Sequence, residues 1–154
     1  MGVFAVGPAQ TGYKAAANLP QTGQLALFAV VGTVRARFWS RVSTVLGASG
    51  GSVTKYVFTP TVGATSSNLS TAADLGTAAA GTFVFTFTTG ATTMSSGAGA
   101  AISSGGARPS VGIVGGLWFQ AGTLYLDCSG NQTGQMEHWI LWTPMAPDSY
   151  VYPL

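Results

Sequence analysis

The chain has 154 residues, of which 6% are charged and 47% hydrophobic, with a net charge of +2 and one cysteine. That length fits one domain with a core of its own, and a lone cysteine excludes an intrachain disulfide. Soluble monomers carry about 25% charged residues, so a surface this poor in charge is expected to be covered by copies of the chain or by a larger assembly.

Residues 1–20 read as an extended arm. Gly2, Gly7, Pro8, Gly12 and Pro20 argue against a continuous helix or strand. Phe4, Val6 and Tyr13 give the arm apolar contacts to make, with its own core or with a neighbour. Residues 21–154 read as one domain. Leu25–Val31 is an apolar run of buried-strand length, ended by Gly32. Thr33–Leu46 alternates: Val34, Ala36, Phe38, Ser40 and Val42 fall on one face, and Arg35, Arg37, Trp39, Arg41 and Ser43 on the other. After the turn Gly47–Gly51, a strand over Ser52–Pro60 is expected to pair with it as a hairpin.

Residues 61–80 are rich in Thr, Ser and Ala, with room for one helical turn around Thr71–Leu75 but no periodicity behind it. In Thr82–Thr88, Phe83, Phe85 and Phe87 alternate with Val and Thr, a strong strand signature. Gly90–Gly106 reads as a long small-residue loop. Val111–Val114, Leu117–Phe119 and Thr123–Cys128 are short strands cut by glycines. Gln135–Thr143 is a strand with bulky residues on both faces, expected to be covered on both sides. Pro144 and Pro147 end it, and Ser149–Tyr152 adds an edge strand.

About eight short strands, Gly-rich turns and no amphipathic helix make the chain all-β: a single antiparallel β-sandwich or jelly-roll-like domain with an extended N-terminal arm. The expected core is Phe28, Val34, Phe38, Phe83, Phe85, Phe87, Leu124, Leu126, Ile140 and Trp142. The longest apolar run falls short of the ~20 residues that span a bilayer, so no membrane partner is expected. The opening segment lacks a basic n-region, so no secretory signal is expected. Without one, the sequons at Asn68 and Asn131 carry no weight.

Catalytic side chains are scarce. The histidine, His138, sits mid-strand beside Glu137 and Trp139, on a face shared with Met136 and Ile140, and reads as a core or interface residue. Asp74, Asp127, Glu137 and Asp148 are dispersed. Cys128 and His138 lack zinc-ligand spacing, and no carboxylate cluster suggests calcium. Gly97–Gly106 has no following Lys-Ser/Thr and no βαβ context. No catalytic residue, cofactor or metal is expected, and Cys128, in an apolar alternation, reads as a small buried hydrophobe.

Three of the six basic residues, Arg35, Arg37 and Arg41, share one strand face with Trp39. They form a stripe roughly 20 Å long. It reads equally as a solvated face or as a protein contact, since Arg and Trp are enriched at interface hot spots. Single-stranded nucleic acid also wants cations among aromatics, but three cations supply a small electrostatic term, and no nucleic-acid partner is expected.

Asn18-Leu19-Pro20-Gln21-Thr22, the strand containing Leu27-Phe28-Ala29-Val30, a glycine and a long Val-rich strand follow one another. Pro60-Thr61-Val62-Gly63-Ala64-Thr65, Ala121-Gly122-Thr123-Leu124 and Trp139-Ile140-Leu141-Trp142-Thr143-Pro144 come after them. In order and spacing this series resembles a family of small β-rich virion proteins of tailed bacteriophages. The Arg stripe and the Gly90–Gly106 insert depart from the family pattern. The resemblance implies a capsid decoration, or cement, protein on the outer capsid surface of the virion. It implies the major capsid protein and the chain's own copies, as a homotrimer, for partners, and no catalytic residues. Expected contact residues are Phe4, Val6, Tyr13, Arg35, Arg37, Trp39, Arg41, Tyr150 and Tyr152. Two other readings stay open: another virion component (tail, neck or receptor-contacting spike), or a carbohydrate-binding module stacking sugars on Trp39, Trp118 or Tyr125.

Overall fold

The computed structural model describes residues 7–20, 22–47, 53–63, 65–70, 72–75, 78–87, 93–97, 116–130 and 133–154. Among them the chain is all-β, with twelve strands and no helix. In chain order they are β1 (Gln10–Asn18), β2 (Gly23–Val31), β3 (Val34–Gly47), β4 (Val53–Pro60), β5 (Ser67–Asn68), β6 (Ala73–Asp74), β7 (Phe83–Phe87), β8 (Thr93–Gly97), β9 (Leu117–Phe119), β10 (Gly122–Ser129), β11 (Thr133–Pro144) and β12 (Tyr150–Pro153). Two antiparallel sheets result. The first runs β1-β11-β3-β7-β8, with β9 also on β3; the second runs β12-β2-β10-β4-β5, with β6 also on β4.

Alternation explains how the sheets meet. On β3, Val34, Ala36, Phe38, Ser40 and Val42 are buried, and β11 adds Met136, His138, Ile140 and Trp142. The second sheet answers with Phe28 and Val30, Tyr56 and Phe58, and Leu124, Leu126 and Cys128. Rings cross the interior: Phe38 meets Tyr56 edge-on at 4.8 Å, and Phe119 meets Phe58 at 4.8 Å. On β2 the run Leu27–Val30 is buried throughout. The register steps there from Phe28↔Leu124 to Ala26↔Tyr125, and this bulge lets consecutive residues both lose solvent.

Several sequence expectations are corrected. The 1–20 segment is not free of regular structure: residues 10–18 form an edge strand of the first sheet, paired with β11 from Gln10↔Trp142 to Asn18↔Gln135. This strand belongs to the sandwich, so the division at residue 20 is not a boundary between arm and core. Gly12 favours the strand instead of breaking it. A Cβ there would lie 2.9 Å from Ile140 Cγ2 and 3.5 Å from the Phe28 ring, so bare backbone is what lets β1 close over the core. Phe4 and Val6 lie outside the described residues.

The expected β3–β4 hairpin does not form. The two strands sit in different sheets, and β4 pairs with β10 along its whole length, from Val53↔Ser129 to Pro60↔Gly122. Both edges of β3 are already taken, by β11 on one side and by β9 and β7 on the other. Gly122 permits the alternative pairing, because a Cβ there would run into the Thr59 carbonyl and the Phe58 ring. In place of a helical turn at 71–75, β6 pairs with Val53 and Thr54. Within the expected 90–106 loop, β8 pairs with β7; the rest of that segment, and Val111–Val114, lie outside the described residues. Strand β7 takes the opposite phase from that expected. Val84, opposite Ser40, is fully buried, while Phe83, opposite Arg41, is half-buried on the outer side. The Phe85 and Phe87 side chains lie outside the described residues.

Candidate interaction face

Directly opposed residues in an antiparallel pair share a face, so the register assembles the outer surface of the first sheet row by row. Tyr13, Trp139 and Trp39 stand in line across β1, β11 and β3. Beside them run Leu141↔Arg37 and Glu137↔Arg41, and further along Thr143↔Arg35↔Trp118. The rings interact as a ladder. Trp39 and Trp139 stack within 7° of parallel at 6.3 Å, and Tyr13 tilts against Trp139 at 5.3 Å.

Glu137 ties the three strands. Its Oε2 accepts from Arg41 Nε at 3.0 Å and Nη2 at 2.6 Å, and its Oε1 accepts from the Tyr13 hydroxyl at 3.2 Å. The Arg41 guanidinium also lies 5.8 Å from the centroid of the Trp139 ring. Arg35 is exposed and Arg37 half-buried, and neither has a hydrogen-bond or ion-pair partner among the described residues. Trp118, opposite Arg35, is 53% exposed.

Five of the sequence-derived contact residues therefore converge: Tyr13, Arg35, Arg37, Trp39 and Arg41. Tyr150 and Tyr152 stand elsewhere. They oppose Val31 and Ala29 on the second sheet, while Val151 between them packs on the core, so both rings face outward on the opposite layer, 6.0 Å apart. That outer face also carries the Lys55–Asp127 pair at 3.5 Å and half-buried Tyr125. Sequence reasoning did not include Trp139, Glu137 and Leu141 among the contacts. Their shared face on one strand was visible, but not the register that sets Trp139 against Trp39.

Between the sheets lies a buried polar chain. Ser40 Oγ is 2.6 Å from His138 Nδ1 and 2.7 Å from the Tyr56 hydroxyl, which is 3.4 Å from the Val84 carbonyl oxygen. His138 Nε2 has no hydrogen-bond partner among the described residues. One assignment satisfies every donor: Nδ1–H donates to Ser40, Ser40 to Tyr56, and Tyr56 to Val84, leaving only the Nε2 lone pair. Burial, assisted by the charge of Lys14, lowers the His138 pKa to about 3, so the ring is neutral. Ser40 and His138 are both fully buried, and no reacting atom from outside reaches this pair in the folded chain.

Cys128 is equally shielded. Desolvation, then the Asp127 charge, pushes its thiol up to about 12. The folded protein is expected to be inert to a chromogenic disulfide reagent at pH 8 and to release one equivalent after denaturation. Prompt reaction of the native protein would refute this burial. Among the described residues no group of three or more His, Cys, Asp or Glu could hold a metal ion. Set against protein-family models, curated proteins and solved structures, the chain matches none of them.

Proposed function

We propose that this protein is a non-enzymatic structural component of a tailed-phage virion, a head decoration protein that binds the outer capsid surface and bridges shell subunits. The observation that carries the reading is the outer face of the first sheet: an aromatic ladder, Tyr13–Trp139–Trp39, beside two arginines that have no ion-pair partner among the described residues. The resemblance of the sequence motifs to those of small phage virion proteins suggests a context for that face. The exposed Tyr150 and Tyr152 on the opposite layer supply a second contact surface, and two such surfaces are what a bridging protein needs. Weak contacts add up when many copies bind at once. Closed cyclic symmetry is the usual arrangement of such copies, and a trimer suits the threefold positions of an icosahedral shell. Sugar stacking on Trp39 is less well supported, because that ring lies parallel to Trp139 in the ladder, and Trp118 and Tyr125 stand on different sheets and form no common platform with each other.

Cryo-electron microscopy of the virus particles, with light scattering of the purified chain, tests the proposal. Density for the sandwich at repeated positions on the head, with a trimer in solution, is the expected outcome. Density at the tail moves the assignment to the tail or spike reading. A monomer absent from particles overturns the proposal.

A further inference from the structure

We infer that the outer face of the first sheet docks onto a carboxylate-bearing patch of another protein, and that Arg35 and Arg37 read it. The charge on this face is unbalanced. Three arginines share it with one carboxylate, and Arg41 already holds Glu137 through two hydrogen bonds. Arg35 and Arg37 are left with no ion pair among the described residues. They lie two residues apart on one strand face, about 6–7 Å, with guanidinium forks suited to bidentate carboxylate binding. Trp118 and Leu141 flank them across the sheet, so a docked carboxylate would sit beside apolar surface, where screening is weaker.

The described residues of the chain offer no matching surface. Two like faces brought together would oppose two pairs of arginines, a repulsive contact. Of the four acids, Glu137 and Asp127 are ion-paired, and Asp74 and Asp148 stand on different elements. Single-stranded nucleic acid fits less well. Bases stack on open ring faces, whereas Trp139 lies against Trp39, Tyr13 and the Arg41 guanidinium.

This rests on the reading of the chain as a shell-bound protein for the partner's identity, but its chemistry can be tested without particles. The probes are a short glutamate-rich peptide, its glutamine counterpart and a short oligothymidylate, titrated into the full chain with tryptophan emission as readout. The acidic peptide is expected to bind at least about tenfold more tightly than the neutral one. Salt should weaken it. Arg35→Gln/Arg37→Gln should bring it down to the neutral level, while Lys55→Gln on the opposite face changes nothing. Should the double variant lose its native far-UV spectrum, Arg35→Gln alone, at a solvent-facing position, carries the test with at least about a threefold loss. Equal affinity for the two peptides, tighter binding of the oligonucleotide, or arginine variants that bind as the parent does would overturn the inference. Those results leave the particle experiment standing, and absence from particles leaves the peptide result standing.

Discussion

Lowering the pH from 6.5 toward 3 is expected to remove stability on the order of 4 kcal/mol through one side chain, His138. The imidazole is fully buried between the sheets, and burial lowers its pKa from 6.5 to about 3. In the unfolded chain it takes up a proton below its ordinary value. Between these two values the unfolded state binds more protons than the folded one, so stability falls by about 1.4 kcal/mol per pH unit as pH falls. Above 6.5 the contribution is complete and flat. The surroundings offer the imidazolium little. Ser40 and Tyr56 already bond one another, Nε2 has no acceptor among the described residues, and Lys14, opposite His138 on β1, adds a like charge. In His138→Leu, Ser40 keeps Tyr56 as partner, and the acid dependence over this window should flatten. Urea unfolding of both proteins at several pH values measures it; equal slopes would remove His138 from the account.

The second large effect concerns the rings between the sheets. Phe38→Ala is expected to cost about 3–5 kcal/mol, whereas Phe83→Ala should cost no more than about 1 kcal/mol. Phe38 is 3% exposed and reaches across to Tyr56, with Phe119 at 6.2 Å. Truncating it opens a cavity where Phe38, Phe119, Tyr56 and Phe58 join the layers, and Tyr56 loses the ring that supports its bond to Ser40. Phe83 stands opposite Arg41 on the outer side, half-buried. Thermal unfolding of the two variants compares them directly. A larger loss at Phe83 would return β7 to the phase expected from its sequence.

That phase shows where local reasoning ends. The alternation of β3 and of β10 was readable, and so was which face goes inside, because one face carried Val, Phe and Leu and the other carried charge or polar groups. On β7 one parity carries Phe83, Phe85 and Phe87 and the other Val84 and Thr86, so an apolar residue is available to either side. Period 2 establishes a strand there but not its inward side, which the pairing Ser40↔Val84 chooses. Gly12 likewise resembles a breaker when read locally. Its meaning is a close approach to Ile140 and Phe28, residues more than ten positions away. The hairpin expectation failed for a similar reason. A Gly-rich turn between two strands signals a reversal of the chain, but not whether it returns to the same sheet or crosses to the facing one.

The interaction face divides in the same way. That Arg35, Arg37, Trp39 and Arg41 project together follows from strand periodicity, and the scarcity of charge from composition. Tyr13 joining them, Trp139 stacking on Trp39 and Glu137 occupying Arg41 depend on pairings between segments about a hundred residues apart. So does the separation of Tyr150 and Tyr152 onto the other layer. Side-chain alternation is a property of a few neighbouring bonds, and a linear chain carries it openly. Register, sheet membership and the choice of which arginine keeps a partner arise when distant strands compete for the same hydrogen bonds and the same interior volume, and that competition is resolved only in three dimensions.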